Sequence, residues 1–364
     1  MTNETMLAAV LERPGQLSLL RIPVPQPLPD EVLVRVEACG VCGSDLRYFE
    51  GENPWAAQTL GLTRPNPPNM VLGHEVAGTI VAAGGAAGET RLGERVVLLA
   101  YRACGVCAYC RRGQHHLCEH VTHHGHGTGW RGREHNPGGL AEFCPVFVHH
   151  ALPLPDELDS AEATLLDGLA VAIHAADLAG IRSGDPVAVV GSGPIGLCIG
   201  QAAMVVGAAR VLAVDIADAP LSAAEELGLD PVDARVGGAV GQVLEAADTV
   251  GVAAAFDTVG TSDTRRQAAA MLRRGGRLLC IAGKDEELGI DYPMLTGERA
   301  VLTAANSPYP DLVRAIELAR SGRVRLAPLI THRFPLDQVD RAFAAARNRG
   351  ETGALKVVVR PAQP

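Results

Sequence analysis

Apolar residues follow two different patterns along this chain. Between residues 5 and 38 they come in short runs, Leu7 to Leu11, Leu17 to Ile22 and Val32 to Ala38, separated by turns carrying Pro or Gly. Runs of that length with such breaks predict β-strands. The stretch Pro23 to Pro29, with a proline at every second position, reads as a short extended connector. From about residue 160 strands alternate with helices instead. Ser160 is placed to cap a helix that continues through the apolar run Thr164 to His174. Val187 to Val190 reads as a buried strand, an apolar helix follows to about Ala208, and Arg210 to Val214 forms the next strand. A helical stretch to Leu227, a strand and turn over Ala253 to Gly260 and a helix over about 264 to 273 come next. Strands over Gly276 to Gly283 and Ala300 to Asn306 complete the series. Such alternation predicts an α/β fold with a doubly wound parallel sheet. Asp311 to Arg320 and Asp337 to Arg347 then read as helices, and Leu329 to Leu336 and Leu355 to Val359 as strands.

Composition narrows this picture. At 364 residues the chain exceeds what one core usually supports, so two domains are expected. A content of 47% apolar and 20% charged residues is ordinary for a soluble globular protein, and a net charge of −9 argues against nucleic acid and acidic membranes as partners. The N-terminus has no basic region followed by an apolar core, so no signal peptide is expected. Val187 to Ala209 carries no charge, but Gly191, Ser192, Gly193 and Pro194 interrupt it, so it is not read as a membrane span. Nine cysteines without a secretion signal point to metal or thiol chemistry in a reducing cytoplasm.

The break after Val190 has its own chemistry. Gly191-x-Gly193-x-x-Gly196 lies between a strand and a helix. The first Gly permits a tight turn, the second lets backbone approach a pyrophosphate, and the third allows close helix–strand packing. The helix N-terminus offers free N–H groups to the phosphates. Asp215 ends the next strand, where a carboxylate accepts from both hydroxyls of an adenosine ribose. A 2′-phosphate there would meet Asp215 and Asp218 and no arginine in Ile216 to Ala219, so NAD is favoured over NADP.

Metal chemistry is written into the first half. Cys39-x-x-Cys42 alone fits a redox pair or half a zinc knuckle. His74 and Glu75 follow a short apolar run, and Cys42, His74 and Glu75 together offer a thiolate, an imidazole and an exchangeable oxygen. A catalytic zinc takes about three protein ligands and keeps one position open. Cys104, Cys107, Cys110 and Cys118 instead supply four sulfurs, which closes the coordination shell and predicts a structural zinc. Residues 115 to 150 hold nine of the twelve histidines. Their crowding, with Gly125, Gly127 and Gly129, predicts a solvated or site-lining loop and not a further metal site. Asp167 is a single carboxylate within an apolar helix, costly unless paired or bound to metal.

Gly40-Val-Cys42-Gly-Ser44-Asp45, Gly73-His74-Glu75 and the nucleotide loop resemble the zinc-dependent medium-chain alcohol dehydrogenases, especially the polyol and threonine dehydrogenase branch. The four-cysteine run resembles that family's structural-zinc lobe. The resemblance implies a GroES-like catalytic domain over 1–158 with the lobe at about 100–120, a Rossmann-type NAD-binding domain over 159–306, and a return to the catalytic domain over 307–364. It assigns Cys42 as zinc thiolate with Cys39 as a buried neighbour, Ser44 as the hydroxyl that takes the alcohol proton, and Asp45 as the acceptor that fixes His74. Asp167 falls where the family places a Cys, Glu or Asp at the zinc, as a direct or water-mediated ligand, or else caps the helix or serves between domains. Pro194 and Ile195 belong to the nucleotide loop, and Ile281, Ala282 and Gly283 would line the nicotinamide half. Arg47 replaces a His that ends the family's proton relay, and Tyr48 and Trp55 either contact substrate or pack the enlarged loop 46–70.

The implied activity is zinc-assisted, NAD-linked interconversion of a secondary alcohol and its ketone. Polyols, sugars, aminocyclitols and amino alcohols are candidate substrates. A simple alcohol dehydrogenase, a zinc-free quinone or enoyl reductase, or a non-catalytic member of the same fold are the alternatives. A cytoplasmic homodimer or homotetramer is expected.

Overall fold

The computed structural model describes residues 4–57, 61–127, 131–247, 250–283 and 287–361. Gly129 of the glycine-rich loop lies outside them. The chain forms two compact units, Met1–Asp167 with Ile330–Pro364, and Gly168–Leu329.

In the first unit, Thr5–Arg13 and Gln16–Pro23 form an antiparallel hairpin that also pairs with Met70–Val71. A larger sheet of seven strands is centred on Glu31–Val41. That strand pairs antiparallel with Glu75–Ala83, with Phe143–Phe147 and with the returning strand Lys356–Arg360. Val32, Val34, Val36, Val76, Ile80, Val146, Val357 and Val359 fill the core, as β-branched residues on a pleated surface should. The register matters for chemistry. Gly40 lies opposite Glu75 on one side and opposite Val358 on the other. A Cβ at Gly40 would overlap Glu75 Oε2 and Lys356 Cε, so the missing side chain opens a path between those two residues.

The second unit carries six parallel strands in the order Asp230–Asp233, Arg210–Asp215, Pro186–Val190, Val252–Asp257, Leu272–Cys280, Ala300–Thr303. This is the doubly wound order, with the chain reversing direction beside Pro186–Val190, where ligands bind in such sheets. Cys198 and Cys280 are buried core residues. Among the described residues, no helix is long and apolar enough to cross a membrane.

Several elements differ from the reading of the sequence. Asp159, not Ser160, caps the helix Ser160–Ala163, accepting from Ala161 N at 2.7 Å, because a carboxylate at the preceding position reaches the free N–H first. That helix stops at Ala163 and a second runs Leu166–Ala179, with Asp167 in its first turn. Strand Asp230–Asp233 and helix Ala239–Ala246 carry too weak a period to be read beforehand. Helix Gly43–Glu50 was also not anticipated.

Candidate metal centres and nucleotide loop

The four cysteines between 104 and 118 lie on turns and short 3-10 segments, and their sulfurs are all within 4.8 Å of one another. Cys104 and Cys110 Sγ are 4.0 Å apart, as are those of Cys107 and Cys118. A tetrahedron with Zn–S of about 2.3 Å has edges of about 3.8 Å, so the set needs almost no adjustment. Backbone N–H groups of Cys104 and His120 donate to Cys118 Sγ at 3.2 and 3.3 Å, and Cys107 N donates to Cys104 Sγ at 3.4 Å. Such donation stabilises thiolates. It pulls Cys107 down to about 6, the N–H of Cys110 contributing most.

A second cluster joins Cys42, His74 and Glu75, again with ligand atoms within 4.8 Å. Cys42 caps helix Gly43–Glu50 and His74 precedes strand Glu75–Ala83. Asp45 fixes both segments at once: its carboxylate accepts from Cys42 N at 2.9 Å and from Gly73 N at 3.1 Å. Its nearer oxygen stands 3.7 Å from His74 Nδ1. Burial alone would depress His74, but Asp45 and the Cys42 sulfur raise it well above the usual imidazole range. Glu75 is buried and ion-paired with the buried Lys356, which also approaches Val41 O at 3.5 Å. Asp167 stands outside the group of three, yet it feels the charges of His74, Glu75 and Lys356. Desolvation pushes its carboxyl up to about 6.

Ser44 Oγ is buried and has no hydrogen-bond partner among the described residues. Arg47 is ion-paired with Glu52 at 2.5 Å. Tyr48 is fully buried; its hydroxyl lies 3.3 Å from Asn53 Oδ1 and accepts from Trp55 N and Gly127 N, while Trp55 Nε1 donates to Val121 O. Both aromatics therefore pack the loop in this structure.

Two neighbours of this cluster were missed in the sequence. Lys356 sits in a returning strand whose partner could not be foreseen. His126 is buried with Nε2 3.2 Å from His74 Nδ1, and its ring stacks on His123 at 4.9 Å. Of the solvated and site-lining alternatives for the histidine-rich loop, the solvated one does not hold for His124 and His126, which are buried.

In the second unit, Gly191 has φ +89°, and a Cβ there would meet Thr258 Oγ1 at 2.5 Å. Gly193 caps helix Pro194–Val206 with Pro194 in its first turn, and a Cβ at Gly196 would overlap Gly191 O. Ile195 lies on the same first turn. Asp215 is held by three backbone donors, Ser192 N at 2.7 Å, Ile216 N at 2.8 Å and Ala217 N at 3.0 Å. Ile281 N and Ala282 N both donate to Asp257 O, which places the turn leading to Gly283 beside the end of Val252–Asp257. Arg235, two residues past the end of Asp230–Asp233, is ion-paired with Asp218 and Asp233.

Two family patterns match the chain: the alcohol dehydrogenase GroES-like domain over residues 28–156 and the zinc-binding dehydrogenase over residues 194–320. An L-threonine 3-dehydrogenase of Chelativorans sp. is 31% identical over 359 residues, covering 98% of this chain and 99% of its own. The chain belongs to the zinc-dependent medium-chain alcohol dehydrogenases. It is a zinc-dependent oxidoreductase built from a GroES-like domain and a Rossmann-like domain. A sorbitol dehydrogenase of Bacillus subtilis is 29% identical over 364 residues, covering 98% of each chain. The crystal structure of a protein described as a zinc-binding dehydrogenase from Sinorhizobium meliloti, bound to NADP, superposes with a TM-score of 0.86 at 29% identity, covering 98% of this chain and all of the other.

For a member of this family the donor sets fit their metals. Four mutually close sulfurs leave no open position, whereas a thiolate, an imidazole and a carboxylate leave one.

Proposed function

We propose that this dehydrogenase interconverts a secondary alcohol of the polyol or amino-alcohol type and its ketone, with NAD as the hydride acceptor. The observation that carries the reading is the cluster of Cys42, His74 and Glu75, with the buried hydroxyl of Ser44 two residues beyond Cys42 and unpartnered among the described residues. Cys42, His74 and an oxygen from Glu75 or Asp167 would hold the catalytic zinc, and Cys104, Cys107, Cys110 and Cys118 the structural one. The catalytic zinc supplies Lewis acidity that makes an alcohol proton easier to lose.

The protein's own part is proton handling and placement. Ser44 accepts the alcohol proton on Oγ and passes its own hydrogen onward. Arg47 binds an anionic group and does not act as a base. Lys356 keeps the buried charge of Glu75 balanced. Asp45 holds the segments of Cys42 and His74 in register. The buried, unpartnered Nδ1 of His123 supports a substrate with more than one polar group, as do the sorbitol and threonine enzymes among the relatives. In the Rossmann-like unit, the helix N-terminus at Gly193, Pro194, Ile195 and Gly196 receives the pyrophosphate and Asp215 the adenosine ribose. Ile281, Ala282 and Gly283 line the nicotinamide. The Sinorhizobium protein holds NADP, and Asp215 is the reason for placing NAD here. A cytoplasmic homo-oligomer completes the reading.

The test is a panel of polyols, sugars, aminocyclitols, amino alcohols and simple alcohols, followed by NADH or NADPH absorbance, with zinc content and oligomer size measured on the same sample. Turnover of secondary polyols or amino alcohols with NAD and two zinc ions per chain is expected. Equal use of NADP overturns the role of Asp215. A single zinc, or turnover of none but simple primary alcohols, overturns the rest.

A further inference from the structure

We infer that His126 is the residue that fixes the metal-binding ring of His74, by accepting a hydrogen bond from its Nδ1–H. The inference rests on the catalytic zinc proposed above. An imidazole that binds metal through Nε2 carries its proton on Nδ1, and the acceptor of that proton sets the tautomer and the ring's orientation. Asp45 and His126 both approach His74 Nδ1. Asp45 Oδ1 is 3.7 Å away, beyond hydrogen-bond reach, and both its oxygens already accept from backbone, Cys42 N at 2.9 Å and Gly73 N at 3.1 Å. His126 Nε2 is 3.2 Å away, within reach. The two rings meet edge-on, with centroids 4.6 Å apart at 73°.

The backbone around His126 is shaped for this approach. Gly125 has φ +62°, the left-handed region that favours glycine, and a Cβ there would meet Gly73 C at 2.7 Å and Gly73 N at 2.8 Å. The loop therefore rests directly on the backbone that leads into His74, and Gly125 N is tied to Pro137 O at 2.9 Å. On the other side, a Cβ at Gly127 would meet Asn53 Nδ2 at 2.9 Å, and Gly127 N donates to Tyr48 Oη at 3.2 Å. Asn136 Nδ2 donates to His126 O. The ring is backed by His123, stacked at 22°, and by Tyr48, whose ring centre lies 5.2 Å away. A Gly-His-Gly triplet thus presents one imidazole at a set distance from another. His126 is a positioning residue: it acts on the metal through His74.

The experiment measures zinc affinity of the intact protein by chelator competition, and visible absorption after cobalt replaces zinc. His126→Phe keeps a ring and removes the acceptor; His126→Gln restores an acceptor at similar reach. The parent should hold two zinc ions of distinct affinity. The Phe variant should weaken one of them about 10–100-fold, leave the other unchanged, and shift the cobalt bands. The Gln variant should recover most of the affinity and the parental spectrum. Should the Phe variant not fold, His126→Met replaces it with the same expectations. Parental affinity and an unshifted cobalt spectrum in the Phe or Met variant overturn the inference alone, with the catalytic zinc intact. A parent protein with only the four-cysteine zinc overturns both.

Discussion

The two cysteine-bearing centres of the GroES-like unit are built on opposite plans. In the lobe, all four donors are sulfurs from one short segment, and the N–H groups that support them come from that same segment. The other centre draws on a helix cap at Cys42, the entry to a strand at His74 and Glu75, a returning strand at Lys356 and a loop at His126. Its donors are of three chemical kinds, and buried charges balance them. A local, uniform donor set organises its own segment and closes around the metal. A dispersed, mixed set is organised by the sheet beneath it and can leave a coordination position open. The first kind of centre should govern stability, the second reactivity.

Exchanging ligand losses between the two centres is the most direct way to break this comparison. Cys42→Ala should abolish turnover and cost one zinc while the thermal midpoint moves little. Cys107→Ala should cost the other zinc and destabilise by more than about 4 kcal/mol, with turnover of the folded fraction retained. If the two variants lose activity and stability in equal proportion, the division of labour is wrong. Ser44→Ala sharpens the reactive side. With both zinc ions retained, turnover should fall on the order of 10²–10⁴-fold, measured by steady-state kinetics across pH.

Charge balance beneath the mixed centre can be probed by itself. Lys356→Met leaves Glu75 buried without a partner and should destabilise by about 3–5 kcal/mol in denaturant unfolding, because an uncompensated buried charge is costly. Adding Glu75→Gln should recover most of that loss. In the lobe, charge reversal at exposed neighbours should have little effect.

Two pH experiments give smaller effects. In the metal-free protein, burial raises Asp167 from 3.8 to about 6, so its contribution to stability is complete below about pH 4 and is lost as pH rises through about 6. Asp167→Asn should match the parent at low pH and exceed it by about 1–3 kcal/mol at neutral pH. The segment from Cys118 to His126 leads from the lobe to the second centre, and His124 is buried in it with neither ring nitrogen partnered. Burial lowers His124 from 6.5 to about 4, so the stability it supports is full above pH 6.5 and is lost as pH falls towards 4. His124→Phe should remove about 1–3 kcal/mol of that acid sensitivity, measured as unfolding free energy against pH.

The amino-acid sequence by itself determined those features whose requirements are local. Four sulfurs at short spacing can close one shell, and Gly196 is needed because any Cβ would strike Gly191 O of the same segment. The alternation of apolar strands and helices determined the doubly wound sheet for the same reason, since each element's period is internal to it. Only the tertiary structure decided what surrounds the mixed centre. His74 and His126 are 52 positions apart, and Glu75 and Lys356 are 281 apart. Nothing in either residue's neighbourhood announces its partner. The Gly-His-Gly triplet did carry a signal, but glycines beside a histidine read equally well as a flexible loop until the backbone of Gly73 is seen against Gly125. Lys356 meets Glu75 because the sheet places both strands beside Gly40, a register set by the packing of the whole core. Side-chain pairs of this kind depend on which strands lie next to each other, and that is a property of the folded sheet and not of any one segment.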